Sequence, residues 1–558
     1  MLHVRITHIP SLLLALATAL IAPARAAPGA LDISLPVGTF RGVSTAQGIE
    51  KWLGIRYAQA PVGPLRFKAP VPVPNASADA GVIDASAFGN ACPQLAIDLG
   101  VPFDLGAPIA EDCLFLNGGQ YTTGAASQPS FDPTRKTLSF SSEFSLNPPL
   151  LGIIQRSVTT QRPIVFVSMY VCPQNPSARR THPGKRRNYR VNTFGFLASA
   201  SVAPEDLNAG LLDQRLALEF VQDNIAAFGG DPDKVTIWGQ SAGAGSVEAH
   251  IIYSTSRKLF RAGIAESPVG PLATNSKTSP PASVYDEPGK PFAQLLANTG
   301  CSAGPDAIAC LQAVPFDTLL SISNSMISVV LNNQLWQPSI GPQGSFAPTR
   351  ASTLIEAGEF RHDVAYLAGT NLNEGTRFSV ELLPMNAEAR TPRESDELFE
   401  TFIRALLIDS STVTRPTFER LFELFPTSTT KEIPFATGNE LFDRGEAWYT
   451  DEMFVAPRRL FFEHAAPMQD VFAYRFAERV PGSNVTLGVA HAAELPLIFS
   501  LPTGEAAVED DFSTTMLDFW LTFVHEMNPG DNWPKYTLEN RSVLQLQRDN
   551  ITTIPDGD

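Results

Sequence analysis

The pentapeptide Gly239-Gln240-Ser241-Ala242-Gly243 places a serine where its hydroxyl could act as a nucleophile. Residues 234–238, directly before it, are mostly apolar and β-branched and predict a buried strand. The segment after it is small and then apolar, and it can continue as a helix. A serine at a strand-to-helix turn has a strained backbone that exposes the hydroxyl, and the helix N-terminus favours negative charge nearby. An ordinary turn gives the same pentapeptide, but the strand before Ser241 favours the nucleophile.

The segments around this serine alternate between strand-like and helical patterns. Residues 163–169 predict a second buried strand, and residues 208–228 show helical periodicity that stops at two glycines. Residues 270–360 and 385–470 mix helical stretches with loops, which we expect around a pocket. The order strand, helix, strand, turn, helix predicts an α/β fold with a large, mostly parallel central sheet flanked by helices.

Composition and charge limit the classes of protein to which the chain can belong. The chain has 558 residues, of which 44% are hydrophobic and 18% charged, so it can bury a large core. Its formal net charge of −16 argues against nucleic-acid binding and is typical of a soluble, exported protein. No cysteine or histidine spacing is that of a metal site, and we expect neither a metal nor a cofactor. The sequence does not indicate an oligomeric state.

The N-terminus has the pattern of a secretory signal. A weakly basic start precedes an apolar stretch at residues 12–21, and Ala24-Arg25-Ala26 is a small-residue cleavage site. We therefore expect a signal peptide at residues 1–26, one domain at residues 27–558, and a secreted, extracellular product. No later stretch is long and apolar enough for a transmembrane helix, and the polar residues 552–558 argue against a glycolipid anchor. Glycosylation motifs begin at these four asparagines: Asn75, Asn484, Asn540 and Asn550.

Five cysteines suggest two local disulfides in an oxidising compartment. Cys92 is expected to pair with Cys113, and Cys301 with Cys310. This leaves Cys172 unpaired. The Cys92–Cys113 loop carries several apolar residues, which favours either a lid over a pocket or a surface loop packed on its own domain.

Five motifs, taken together, resemble the type-B carboxylesterase/lipase family. They are EDCLFLN at 111–117, YRVNTFGFLA at 189–198, FGGDPDKVTIWGQSAGAGS at 228–246, AGTNLNEGTRF at 368–378 and AHAAELPLIF at 490–499. The resemblance covers nearly the whole mature chain, with the motifs in the family's order. It implies the α/β-hydrolase fold and a serine hydrolase that cleaves carboxylic esters, with a small-molecule or lipid ester as substrate.

The resemblance also implies the partners of the serine. Matching the motifs, Glu374 is the orienting acid and His491 the base, in the chain order serine, acid, histidine. The hydroxyl of Ser241 needs such a base, and the base needs a third group to orient it. The backbone N–H of Ala242 is expected to stabilise the oxyanion of the tetrahedral intermediate.

The sequence departs from the family pattern between residues 117 and 188. The glycine-rich loop that supplies further oxyanion donors matches best at residues 118–124, where Gly119 and Gln120 are the candidates. Asn117 abuts Gly118 directly, so the strand that should deliver this loop is expected to be missing before Gly118. Residues 135–152 and 170–187 interrupt motifs that would otherwise read continuously. We hypothesise that they are translated introns or the product of a mis-joined gene model, and that the chain as written has weak activity or misfolds. A basic binding loop is the functional alternative for residues 179–187.

Rival functions remain open at this point. The short Cys92–Cys113 loop favours small, soluble esters, and its lack of tryptophan argues against choline esters. A triacylglycerol lipase or sterol esterase is the alternative enzyme. A catalytically impaired binding or adhesion relative is the alternative from another class, although such relatives typically lose one of the three residues kept here.

Overall fold

A computed structural model describes most of the chain. The described residues are 31–45, 49–77, 80–95, 107–121, 137–141, 164–168, 189–269, 279–389, 391–410, 413–427, 437–499 and 504–557. The predicted signal peptide, Cys172, residues 170–187 and most of the loop between Cys92 and Cys113 lie outside them. Among the described helices, none combines the length and the apolar character that crossing a membrane requires.

Fourteen strands are present in the described part of the chain. In chain order they are β1 (Asp32–Leu35), β2 (Gly38–Arg41), β3 (Val43–Ser44), β4 (Ile49–Arg56), β5 (Val82–Asp84), β6 (Phe115–Tyr121), β7 (Thr137–Ser141), β8 (Ile164–Ser168), β9 (Val235–Gln240), β10 (Ala262–Glu266), β11 (Ala365–Asn371), β12 (Val471–Phe476), β13 (Ser542–Leu546) and β14 (Thr552–Pro555).

The described α-helices are α1 (Asn192–Phe196), α2 (Ala209–Asn224), α3 (Ala242–Ile252), α4 (Pro291–Thr299), α5 (Ala307–Ala313), α6 (Phe316–Ser328), α7 (Ala351–Ala357), α8 (Leu382–Met385), α9 (Pro392–Leu406), α10 (Arg415–Leu424), α11 (Glu440–Thr450), α12 (Ala456–Ala465), α13 (Leu495–Phe499) and α14 (Asp510–Glu526). The helix predicted at residues 208–228 is confirmed as α2 with a short 3₁₀ extension, and it ends at Gly229, whose φ of 83° is left-handed.

One large sheet organises the described chain. Its strands lie in the order β14-β13-β12-β11-β10-β9-β8-β7-β6-β4-β3. Strands β7 to β13 pair in parallel, while β14 at one edge and β6, β4 and β3 towards the other edge pair antiparallel. A small second sheet joins β1, β2 and β5. The predicted fold, a large and mostly parallel sheet flanked by helices, is confirmed.

The central strands are covered on both faces, which explains their continuous apolar sequences. Alternate residues of β9 enter different cores: Ile237 packs with α2 and α3, while Trp238 packs with α14. The same alternation occurs in β11, where Tyr366 joins the first core and Leu367 the second. Residues 282–336 and 382–454 form most of two further apolar clusters. The helices that carry these clusters are the additional helices expected around a pocket.

The strand expected to be missing requires a correction. Asn117 and Gly118 follow one another within β6, as their adjacency in the sequence dictates. The sheet nevertheless has no gap there, because β7 lies between β6 and β8. This strand comes from residues 137–141, inside the segment 135–152 that we hypothesised to be foreign to the fold. The physical reason is that any short extended segment can complete the backbone hydrogen bonds of an otherwise open edge.

Both predicted disulfides are confirmed. Cys92 is bonded to Cys113, and Cys301 to Cys310. The first closes the loop that precedes β6. The second joins the segment just after α4 to α5.

Candidate active site

Ser241 lies at a sharp turn between β9 and α3. Its φ of 58° and ψ of −123° are strained for a residue with a side chain. The turn requires glycine at position 239, because a Cβ there would lie 2.2 Å from the carbonyl carbon and oxygen of Gly243. The backbone N–H of Ser241 donates to the carbonyl oxygen of Glu266, 2.9 Å away. These contacts hold the serine hydroxyl beyond the carboxyl end of β9.

Glu374 follows the end of β11 and begins a short 3₁₀ helix, Glu374–Phe378. Since β9 and β11 are both parallel to β10, the ends of all three strands meet at the same edge of the sheet. The carboxyl group is fully buried, and its Oε1 accepts a hydrogen bond from the backbone N–H of Asn371 at 2.6 Å. This bond compensates part of the cost of burying the carboxylate.

His491 lies in the loop before α13 and contacts both other side chains. Its Nε2 lies 2.8 Å from Oγ of Ser241, and its Nδ1 lies 2.5 Å from Oε2 of Glu374. The carboxylate can only accept, so Nδ1 carries the proton and Nε2 presents its lone pair to the serine hydroxyl. The side chain of His491 is 6% exposed. The arrangement can therefore remove the proton from the serine and return it to a leaving group.

The loops that carry Glu374 and His491 are joined by hydrogen bonds. Asn373 donates its backbone N–H to the carbonyl of Val489, and its Oδ1 accepts from the N–H of Val489; both bonds are 3.0 Å long. The side-chain amide of Asn371 donates to the carbonyl of Ala490 at 2.8 Å. Two asparagines thus fix the distance between the acid and the base.

Aromatic rings enclose the imidazole on its remaining sides. The ring centroids of Phe378 and Phe454 each lie 5.1 Å from that of His491. Phe378 also stacks on Tyr449, with centroids 4.6 Å apart. Tyr449 and Trp448 in turn line a mostly apolar cavity of about 110 Å³. The rings exclude water from the histidine, and the cavity beside Tyr449 suits a hydrocarbon group.

Several other buried carboxyl groups surround this edge of the sheet. Burial raises the pKa of Glu494 to about 8, with repulsion from Glu374 as the second cause. Burial also raises the pKa of Glu266 well above its ordinary value, with the nearby Glu494 adding to it. Burial raises the pKa of Glu446 to about 8, although its Oε1 accepts a hydrogen bond of 3.2 Å from Asn373. Glu494 and Glu446 are therefore mostly protonated near pH 7.

The structure does not bring Gly119 or Gln120 to Ser241, so their prediction as oxyanion donors is wrong for the described chain. Both lie within β6, where Gly119 is level with Ser139, Phe166 and Thr236 on the successive strands. Thr236 stands five residues before Ser241, about 16 Å at the rise of an extended strand. Because β6 is antiparallel to β7, it runs away from the edge that carries Ser241. The expected loop residues 122–124 lie outside the described chain.

Ala242, the other predicted donor, is exposed and begins α3. The first N–H groups of a helix have no acceptor within the helix, so this one is available to an anion. Another histidine, His250, lies further along α3. It is buried, and its Nε2 lies 3.0 Å from Oε1 of Gln214.

Sequence reasoning missed one polar contact to the histidine. The amide nitrogen of Gln240 lies 3.2 Å from Nε2 of His491. Gln240 is the variable residue of the Gly-x-Ser-x-Gly pattern, which gives no reason to single it out. The alternation of side chains along β9 could have found it, since Gln240 shares a face with Trp238, towards the second core.

The carboxylesterase family matches most of the chain. The sequence profile of the carboxylesterase family matches residues 30–120 and 186–555. The match therefore passes over residues 121–185, which contain β7, β8, all of segment 135–152 and most of segment 170–187.

Similar proteins of known activity cover almost the same length. The chain is 30% identical to Lipase 4 of Diutina rugosa over 94% of this chain and 93% of the lipase. It is 29% identical to the para-nitrobenzyl esterase of Bacillus subtilis (strain 168), over 92% of this chain and 94% of the esterase. It is 28% identical to Secreted lipase 1 of Botryotinia fuckeliana (strain B05.10), over 92% and 88%.

Proposed function

The chain belongs to the carboxylesterase family, and from this premise we propose that Ser241, His491 and Glu374 are its catalytic nucleophile, base and orienting acid. The protein is a carboxylic ester hydrolase. The observation that carries the residue assignment is the continuous contact from Oγ of Ser241 through the imidazole to the Glu374 carboxylate, at 2.8 and 2.5 Å.

The proposed reaction has two halves. In the first, Ser241 attacks the ester carbonyl while His491 takes its proton, and the protonated imidazole then gives this proton to the departing alcohol. In the second, His491 removes a proton from water, which attacks the acyl-enzyme; the imidazole then returns this proton to Oγ of Ser241 as the bond to the acyl group breaks and the acid is released. Glu374 stabilises the positive imidazole in both halves, and the N–H of Ala242 donates to the oxyanion.

The family and the relatives leave the substrate between small esters and lipids. The cavity beside Tyr449 supports the lipase alternative, because it is mostly apolar and Tyr449 stacks on Phe378, which contacts His491. The named relatives include both lipases and an esterase. Hydrolysis rates on p-nitrophenyl esters of increasing acyl length separate the two, since a lipase keeps or gains activity on long chains and an esterase loses it.

The binding or adhesion alternative is favoured by one observation only. With Gly119 and Gln120 distant from Ser241, Ala242 is the only predicted oxyanion donor that the described chain keeps at the site. Losing one such donor typically lowers kcat by roughly 100- to 1,000-fold. An impaired enzyme with an intact serine, base and acid would therefore still react with a fluorophosphonate but would turn over esters slowly.

The proposal is tested by ester hydrolysis and by serine labelling of the mature protein. Ser241→Ala is expected to abolish both, while the control Ser254→Ala, which changes an exposed serine after α3, leaves both unchanged. Hydrolysis that survives in Ser241→Ala would contradict the assignment. We further propose that the protein is secreted after removal of residues 1–26; N-terminal sequencing of the product in the medium tests this.

A further inference from the structure

Two hydrogen-bond donors converge on one nitrogen atom of His491. Oγ of Ser241 lies 2.8 Å from Nε2, and the amide nitrogen of Gln240 lies 3.2 Å from the same atom. With its proton on Nδ1, facing Glu374, the neutral imidazole offers a single lone pair on Nε2. The hydroxyl and the amide therefore compete for this lone pair.

Gln240 is held in this position by its burial. The residue is fully buried at the end of β9, in a row that continues across the sheet to Glu266, Gly369 and Tyr474. Its Oε1 has no hydrogen-bond partner among the described residues. Burying an amide whose oxygen has no hydrogen-bond partner costs free energy. Packing alone therefore does not explain why a glutamine occupies this position.

The chemistry of the amide supplies that reason. An N–H group directed at Nε2 stabilises the neutral imidazole, because it donates to the lone pair that protonation would consume. The same N–H group opposes a proton on Nε2, since two N–H groups would then face each other. The contact thus favours the neutral form of His491. It also reduces the fraction of time in which the lone pair of Nε2 accepts from the hydroxyl of Ser241.

We propose that Gln240 is a positioning residue that keeps His491 neutral and protonated on Nδ1 in the resting enzyme, by donating a hydrogen bond to Nε2. This inference rests on the proposed role of His491 as the base. It adds a residue that acts through the histidine.

The remaining titratable groups near His491 are the same in every variant described below. They come from the 3₁₀ helix after β11, from α11, from the start of α13, from β10 and from β12: Glu374, Arg377, Glu446, Glu494, Glu266 and Tyr474. Phe378 and Phe454 cover the ring without charge. An assay from about pH 5 to about pH 7, where histidine changes its charge, stays below the raised pKa of about 8 of Glu494.

The test is the rate of inactivation by a fluorophosphonate as a function of pH, measured for wild type, Gln240→Met and Gln240→Glu. This rate reports the protonation of the base in the free enzyme and does not depend on acyl specificity. Loss of the amide donor in Gln240→Met is expected to move the midpoint of the acid limb up by about 0.4 to 1 pH unit. Gln240→Glu is expected to move it further in the same direction, because a carboxylate favours the protonated imidazole.

A matched control is Gln337→Met, which alters another buried glutamine whose Oε1 also has no partner in the described chain. It is expected to leave the midpoint unchanged. A merely structural role for Gln240 would lower the plateau rate and the Tm without moving the midpoint, and that outcome overturns the inference. A midpoint that moves down in Gln240→Met also overturns it, because the amide would then accept from a protonated imidazole. Failure of the proposed function is distinct, since wild type itself would not be labelled.

Discussion

Replacing Gly239 by alanine tests whether the turn at Ser241 must be this tight. The added Cβ would lie 2.2 Å from the carbonyl carbon and oxygen of Gly243 and 2.7 Å from the nitrogen of Ala244. Ordinary contact begins at 3.4 Å, so the two backbone segments must separate by about 1.2 Å. Both are backbone and neither can rotate aside. A displacement of about 1 Å at a catalytic group can cost roughly 100-fold in rate.

We therefore expect Gly239→Ala to lower the rate of fluorophosphonate labelling by about 100-fold or more relative to the unmutated chain. The matched control is Gly245→Ala, six residues further along in α3, where the new Cβ would meet the carbonyl oxygen of Val269 at 3.0 Å and its Cγ2 at an ordinary 3.9 Å. That neighbour needs to move by a few tenths of an ångström, and alanine favours the helix. Thermal unfolding of both variants separates a misplaced serine from an unfolded protein. Labelling of folded Gly239→Ala at the unmutated rate would refute the reasoning.

Three further predictions address stability, positioning and the gene. Glu494 has a folded pKa of about 8 and an ordinary value of 4.5, so the folded protein keeps a proton that the unfolded chain releases. Protonated Glu494 therefore stabilises the fold fully below about pH 4.5. Between about pH 4.5 and about pH 8 the free energy of unfolding falls by up to roughly 1.4 kcal/mol per pH unit. Glu494→Gln should flatten this fall in unfolding experiments, whereas Glu505→Gln, at an exposed position, should not; equal slopes would contradict the burial argument. Asn373→Ala should lower kcat by roughly 10-fold with little change in KM, because it loosens the loop of Glu374 against that of His491; an unchanged kcat on a short-acyl aryl ester would refute this. Sequencing the transcript should yield a message without the codons for residues 135–152 and 170–187; a message that contains both would end the intron hypothesis, and ordinary turnover by the chain as written would refute its predicted weakness.

Much of the fold follows from local pattern. The apolar runs before Ser241 and Glu374 become β9 and β11 because strands buried on both faces need no polar alternation. The end of the helix at Gly229 follows from the left-handed conformation that glycine tolerates. The paired cysteines are close in the sequence, so few arrangements compete with the observed bonds.

The predictions that were wrong or missed concern the placement of strands and contacts between distant residues, which no local sequence pattern indicates. Gly119 and Gln120 match a loop motif, yet their direct continuation from Asn117 keeps them in an antiparallel strand. The place of β7 in the sheet depends on which segment completes an open edge, and the sequence of residues 137–141 alone does not state this. The contact of Gln240 with His491 joins residues 251 positions apart, and only the assembled sheet edge brings them together.

The central claim is that Ser241 is the nucleophile and that His491 activates it. The most direct measurement is mass-spectrometric mapping of the fluorophosphonate adduct on the mature protein, in wild type and in His491→Ala. The account predicts one adduct, on the peptide that contains Ser241, and its loss in His491→Ala while the variant remains folded. An adduct on another residue, or equal labelling of Ser241 without the imidazole, would contradict it.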